Sequence, residues 1–149
     1  MKINAKVRYG LKAMIELAMN AGQSGLLQKE ISEYQKIPGK YLDKIISGLK
    51  TGGLIRNVKG KKSGYILTRS AVEISIYDIY RAFEPDISLN HNFQPDIDFY
   101  GDDFCAEKDY WNSLILVIEN HMKSETLDKI ASKQREYNLK EKSVINFEI

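Results

Sequence analysis

The residues with the plainest chemical capacity are three lysines, Lys59, Lys61 and Lys62, set among Gly60, Ser63 and Gly64. Two glycines let a thin backbone approach a polyanion, and the ammonium groups reach its sugar-phosphate wall or a minor groove. A second set, Lys40, Tyr41, Asp43 and Lys44, lies early in a periodic segment and off its apolar stripe. Lysine matches guanine O6 and N7 or sits on phosphate, and aspartate accepts from cytosine N4, so Asp43 and Lys44 are the expected sources of base preference. Tyr41 is either a phosphate donor or a core residue. Lys6, Arg8 and Arg56 could complete a phosphate clamp.

Charge follows the same division. The net charge is +2, yet residues 1–70 carry 14 Lys/Arg against four acids, a net of +10, which leaves −8 for the rest. A basic half joined to an acidic half implies that the first meets a polyanion while the second does something else. Catalysis has little to rest on, since His91 and His121 are remote in sequence and no nucleophile, metal or phosphate-loop motif surrounds them. The chain is therefore not expected to be an enzyme. Its one cysteine, Cys105, makes no intrachain disulfide and cannot by itself supply a zinc or ordinary iron–sulfur ligand set. No metal site and no cofactor are expected. Without a bilayer-length apolar run or a leader, a cytoplasmic location with no membrane partner is the expectation.

Short elements must position these groups. Val7, Leu11, Met14, Ile15 and Ala18 predict a helix over 4–21, capped by Asn4 and stopped at Gly22. A short helix over 28–34 centres on Ile31, and Leu27 is a poor cap for it. Pro38 opens a third helix with Leu42, Ile45, Ile46 and Leu49 on its apolar face, ended by Gly52-Gly53. Two short helices across a tight turn read as a helix-turn-helix. Strand-like runs over 54–58 and 65–68 then flank the lysine-rich tip as a hairpin. Ser75 caps a helix carrying Ile76, Ile79, Tyr80 and Phe83, which Pro85 stops.

The expected fold is thus mainly α with a small β-hairpin wing, a winged helix-turn-helix over 1–85. A loop over 86–104 follows, then dimerisation helices over 105–138 and a C-terminal tail over 139–149. Trp111, Leu114, Ile115, Ile118 and Met122, widened by Val117, form the strongest amphipathic stripe in the chain. A homodimer through this helix is the economical way to cover it, ahead of packing back onto its own winged domain.

In the first half these residues resemble the Rrf-two family of winged-helix transcription regulators. The resemblance runs through Met1-Lys2-Ile3, Lys6, Arg8-Tyr9-Gly10-Leu11, Ile31, Lys40-Tyr41-Leu42-Asp43-Lys44, Leu49, Gly53-Leu54-Ile55, Val58-Lys59-Gly60 and Gly64-Tyr65. It continues more loosely through Ile79, Ala82-Phe83-Glu84, Trp111 and Thr126-Leu127. It implies a homodimer on an inverted-repeat operator in double-stranded DNA, with the third helix in the major groove and the wing, including Gly60 and Tyr65, against the minor groove.

Many members of that family sense through an iron–sulfur cluster held by three loop cysteines. Only Cys105 occupies such a position here, among His91, Asp96, Asp98, Asp102 and Asp103, so an iron–sulfur cluster by the usual route is not expected. The chain is more similar to the cluster-less branch, whose regulators of cysteine and sulfur metabolism answer to cysteine synthase. Its terminal Phe147-Glu148-Ile149 gives Ile149 as a carboxylate-bearing apolar end that such a partner could capture. Two alternatives remain at this point. One is a redox-responsive regulator using Cys105 or a mixed-ligand cluster, and the other is a protein-interaction adaptor without DNA binding.

Overall fold

The computed structural model describes residues 3–20, 22, 24–59, 64–85, 87 and 105–148. Helix α1 (Ala5–Met19) begins where the Asn4 side chain accepts from the Val7 amide at 3.0 Å. Its buried Val7, Gly10, Ala13, Met14, Leu17 and Ala18 recur at three- and four-residue steps. The helix ends at Met19, two residues before the expected limit, because the Asn20 amide folds back onto Glu16. Glu16 is the one buried charged residue described. Gln35 donates to one of its carboxylate oxygens at 2.9 Å and Asn20 to the other at 2.7 Å, so burial leaves neither unsatisfied.

Helices α2 (Gln28–Gln35) and α3 (Gly39–Thr51) meet across a tight turn at Lys36, whose φ of 53° is left-handed. Leu27 offers α2 no side-chain cap, as expected, and Glu30 instead accepts from the Leu27 backbone amide at 2.7 Å. Leu42, Ile45, Ile46 and Leu49 of α3 are all buried. Gly53, at φ 71°, donates to the Lys50 carbonyl while Leu54 donates to that of Leu49. This double bond turns the chain into the wing, with Leu49 and Leu54 both in the core.

The wing strands are β2 (Ile55–Asn57) and β3 (Gly64–Leu67), paired antiparallel with Ile55 opposite Leu67. A third strand, β1 (Leu26–Leu27), pairs with the other edge of β3, giving the order β1-β3-β2. Two residues are too few to show a period, so sequence analysis yields only the hairpin. A 3₁₀ turn (Ala71–Glu73) leads to α4 (Ile76–Arg81), whose Ser75 and Asp78 cap one another's backbone amides. Arg69 pairs with the same Asp78 at 3.2 Å.

Helices α5 (Ala106–Ser124) and α6 (Leu127–Glu148) complete the chain. Their corner is sewn to the segment before α4, with the Ile76 amide on the Glu125 carbonyl at 2.9 Å and the Leu127 amide on the Ile74 carbonyl at 2.8 Å. Leu127 and Ala131 lie in the same core as Met14, Ile31 and Leu49. Further along α6, Arg135 donates to the Ala18 carbonyl at 3.0 Å, supplying a cation at the C-terminal end of α1. Residues 139–148 are helical, which corrects the expected tail; the sharpest apolar stripe belongs to α3 and not, as expected, to α5, which has no fully buried residue. No described helix is long and apolar enough to cross a membrane.

Candidate nucleic-acid interface

The core stripe of α3 fixes what its opposite face can do. With Leu42, Ile45, Ile46 and Leu49 turned inward, a period of 3.6 residues leaves Lys40, Asp43, Lys44, Ser47, Lys50 and Thr51 exposed. Two open clefts flank this ridge. One is lined by Lys6, Asp43, Lys44, Ser47 and the Phe83 side, and the other by Gln28, Asp43, Ser47, Lys50 and Tyr65. Asp43 and Ser47 border both clefts and so form the crest.

The first cleft owes its shape to glycine. The Phe83 ring lies between Gly10 of α1 and Gly48 of α3, and a Cβ at either position would collide with it. Asn4 donates to Glu84 just beyond Phe83, pinning the start of α1 to the end of α4. Lys6 is thereby brought beside Lys44 from 38 positions away. Arg8 is exposed but is not among the residues lining that cleft, being roughly 200° further round α1.

The other expected contact residues divide. Lys40, Asp43, Lys44, Arg56 and Lys59 are exposed, as a contact surface requires. Tyr41 is half-buried against Tyr9, ring centroids 5.4 Å apart, and the Lys40 ammonium lies 4.9 Å from the Tyr41 centroid. Of its two readings, packing is the one the geometry fits. Tyr65 is only 9% exposed and belongs to the core, and its remaining surface lines the second cleft. It sits in the central strand of the sheet, with Lys50 5.9 Å from its ring centroid. Gly60, Lys61 and Lys62 of the tip lie outside the described residues, as do His91, Asp96, Asp98, Asp102, Asp103 and Ile149.

Sequence analysis missed Ser47, Lys50 and Gln28. The first two follow Asp43 at steps of four and seven, so the helical period could have found them. Gln28 could not be found that way, because only folding brings it to α3. Its Nε2 donates to Asp43 Oδ1 at 2.7 Å.

The expected dimer stripe also divides. Ile115, Ile118 and Met122 pack within the chain against Val7, Tyr80 and Ile87, so part of the stripe is covered by its own winged domain after all. Trp111 remains 45% exposed, its indole donating to Glu107 at 2.9 Å. A different line, Tyr110, Leu114, Val117 and His121, recurs at helical steps, with Tyr110 60% and Val117 65% exposed. Where α5 meets α4, Lys123 lies over the Tyr77 ring at 4.7 Å and bonds Glu119 at 2.8 Å. That hydrogen bond holds the Glu119 carboxyl below its ordinary range.

Cys105 is half-buried at the N-cap position of α5. A cluster held by three thiolates does not fit a chain with one cysteine, and the described residues contain no group of three metal-ligating side chains.

Comparison with known proteins places this geometry. Residues 3–133 match the Rrf2 family, described as an iron-dependent transcriptional regulator. Over 132 residues the chain is 31% identical to the transcriptional regulator CymR of Bacillus subtilis, covering 89% of this chain and 91% of the relative. The structure of that protein, described as the global cysteine regulator of its organism, superposes with a TM-score of 0.70 at 28% identity, over 89% and 97% of the two chains. That of IscR from T. potens gives a TM-score of 0.73 at 30% identity, over 92% and 90%. The oxidized form of Staphylococcus aureus CymR gives 0.68 at 34% identity, over 88% and 96%.

Proposed function

The chain belongs to the Rrf2 family of DNA-binding transcription regulators, and from that premise we propose that it is a homodimeric repressor of cysteine and sulfur metabolism acting at an inverted-repeat operator. The winged-helix fold and its relatives are those of regulators and not of enzymes. The observation that carries the reading is the exposed ridge of α3 between two clefts, with Lys6 and Lys44 on one side and Lys50 on the other. A ridge of this form enters a major groove while its flanking cations meet the phosphates on either side. Arg56 and Lys59 extend the positive surface along the wing toward the minor groove, and the sequence follows them with Lys61 and Lys62. Tyr110, Leu114, Val117 and His121, with Trp111, supply a self-complementary face for the second copy.

Binding of the full chain to a duplex selected from a random library tests this, read by fluorescence anisotropy at several salt concentrations. Lys44→Ala should alter preference among sites, whereas Lys6→Ala should weaken binding to every sequence and lower the slope of log K against log salt by about 1. Replacing the wing lysines should do the same. A wild-type protein that binds selected and random duplexes equally would end the regulator reading. The cysteine-metabolism assignment includes cysteine synthase as a partner through Ile149. Calorimetry of that enzyme against the full chain, and against the chain lacking Ile149, tests it.

A second reading concerns Cys105, because a relative has been solved in an oxidized form. In it, peroxide takes two electrons and two protons from the Cys105 thiols of two copies, forming one intersubunit disulfide and two waters. DNA affinity that changes with peroxide in the wild type and not in Cys105→Ser supports it; identical behaviour excludes it.

A further inference from the structure

Asp43 on the crest of α3 accepts a hydrogen bond from a neighbouring helix. Gln28, the first residue of α2, spans the second cleft and donates to Asp43 Oδ1 at 2.7 Å, although the two are 15 positions apart. The bond occupies one carboxylate oxygen and fixes the plane of the other. Oδ2, the other oxygen, belongs to an exposed side chain that borders both clefts, with Ser47 one turn further along. An exposed aspartate without such a tether samples several rotamers and reads nothing in particular.

We propose that Gln28 and Asp43 read one base of each half-site as a unit, and that the base is cytosine. This rests on the DNA-binding reading above and names which residues set its preference. Cytosine presents its N4 amino donor to the major groove and has no acceptor of its own there. Adenine offers a donor too, but its N7 acceptor lies beside it and faces the carboxylate. Guanine presents two acceptors and thymine an acceptor and a methyl group, so both leave the Asp43 charge desolvated and unpaired. Asp43 thus selects by rejection as much as by attraction, and Gln28 makes the rejection stiff by preventing the carboxylate from swinging away.

The test is selection from a randomised duplex library with the full-length dimer, followed by anisotropy titrations on the selected operator and its three single-base variants at each position. The wild type should fix cytosine at one position of each half-site and discriminate against the other bases there by roughly tenfold or more. Asp43→Ala should level that position and leave the others as they were. Gln28→Ala should reduce discrimination at the same position, with thermal stability unchanged because the bonded groups are solvent-facing. Gln28→Glu, which sets two carboxylates against each other, should do so more strongly. If Gln28→Ala alters affinity for all sequences by one factor, or shifts preference at a different position from Asp43→Ala, the unit does not exist. If the selected base at the Asp43-dependent position is not cytosine, the assignment is overturned. A wild type that selects no sequence overturns the regulator reading and this inference with it, whereas a selective wild type with indifferent variants overturns this inference alone.

Discussion

Lys36 holds a backbone conformation that its side chain does nothing to favour. At φ 53° its Cβ crowds the following carbonyl, a strain of about 1 kcal/mol that glycine does not carry. The turn needs the conformation because the Ile37 amide must reach back to the Ser32 carbonyl, and Ser32 Oγ donates in turn to the Ile37 carbonyl at 2.9 Å. Lys36→Gly should therefore raise stability by roughly 0.5–1 kcal/mol, read as a higher midpoint in urea denaturation. At this scale the sequence is readable wherever a residue acts through its own neighbours. Asn4 and Ser75 as caps and Leu27 as a poor one are of that kind. Gln28 and Tyr65 are not: the bond of one to Asp43 and the burial of the other arise through contacts made only by folding.

At the scale of elements, periodicity identified the inward face of α3 in full, because its four apolar positions leave no other arrangement, and that of α1 in part, since Gly10, Ala13 and Leu17 are buried where Leu11 and Ile15 were expected. It could not say which body covers the face of α5. Ile115, Ile118 and Met122 were equally suited to a second copy or to Tyr80 of the same chain, and apolar spacing is blind to that choice. Helix α6 shows the same limit in reverse. Leu127 is wholly buried in the main core, yet it stands far along the chain in a segment of modest apolar pattern. Leu127→Ala should cost about 2–5 kcal/mol and destabilise the reading head as well as the C-terminal helices, since both share that core. Coincident unfolding of the two, followed by tryptophan fluorescence at Trp111 and by far-ultraviolet circular dichroism, would verify the shared core; separate transitions would contradict it.

For the whole molecule, the line Tyr110, Leu114, Val117 and His121 is the surface proposed for assembly. Val117→Glu changes a largely exposed residue, so the monomer should fold unchanged while sedimentation at micromolar concentration shifts from dimer to monomer. An unaffected dimer would move the interface elsewhere, with the exposed Val144 and Ile145 of α6 as the next place to examine. Fold class and the charge division were legible at this scale because they are sums over many residues. The lateral placement of Lys6 against Lys44 was not, because it depends on one ring seated between two glycines.

The stitched corner between Ser75 and Thr126 makes the molecule a caliper. The helix proposed to grip a second copy is tied by two backbone bonds, and by Leu127 below them, to the body that carries the α3 ridge. Little hinge remains at that corner, so in a dimer formed through α5 the span between the two ridges would follow from the α5 contact. One base pair inserted between half-sites rotates the second by about 34° around the duplex axis and carries it out of reach. Affinity for such an operator should fall nearly to that for random DNA, whereas a conservative change of base within one half-site should cost far less. Over evolutionary time, sites for such a regulator can drift in their letters but not in their spacing.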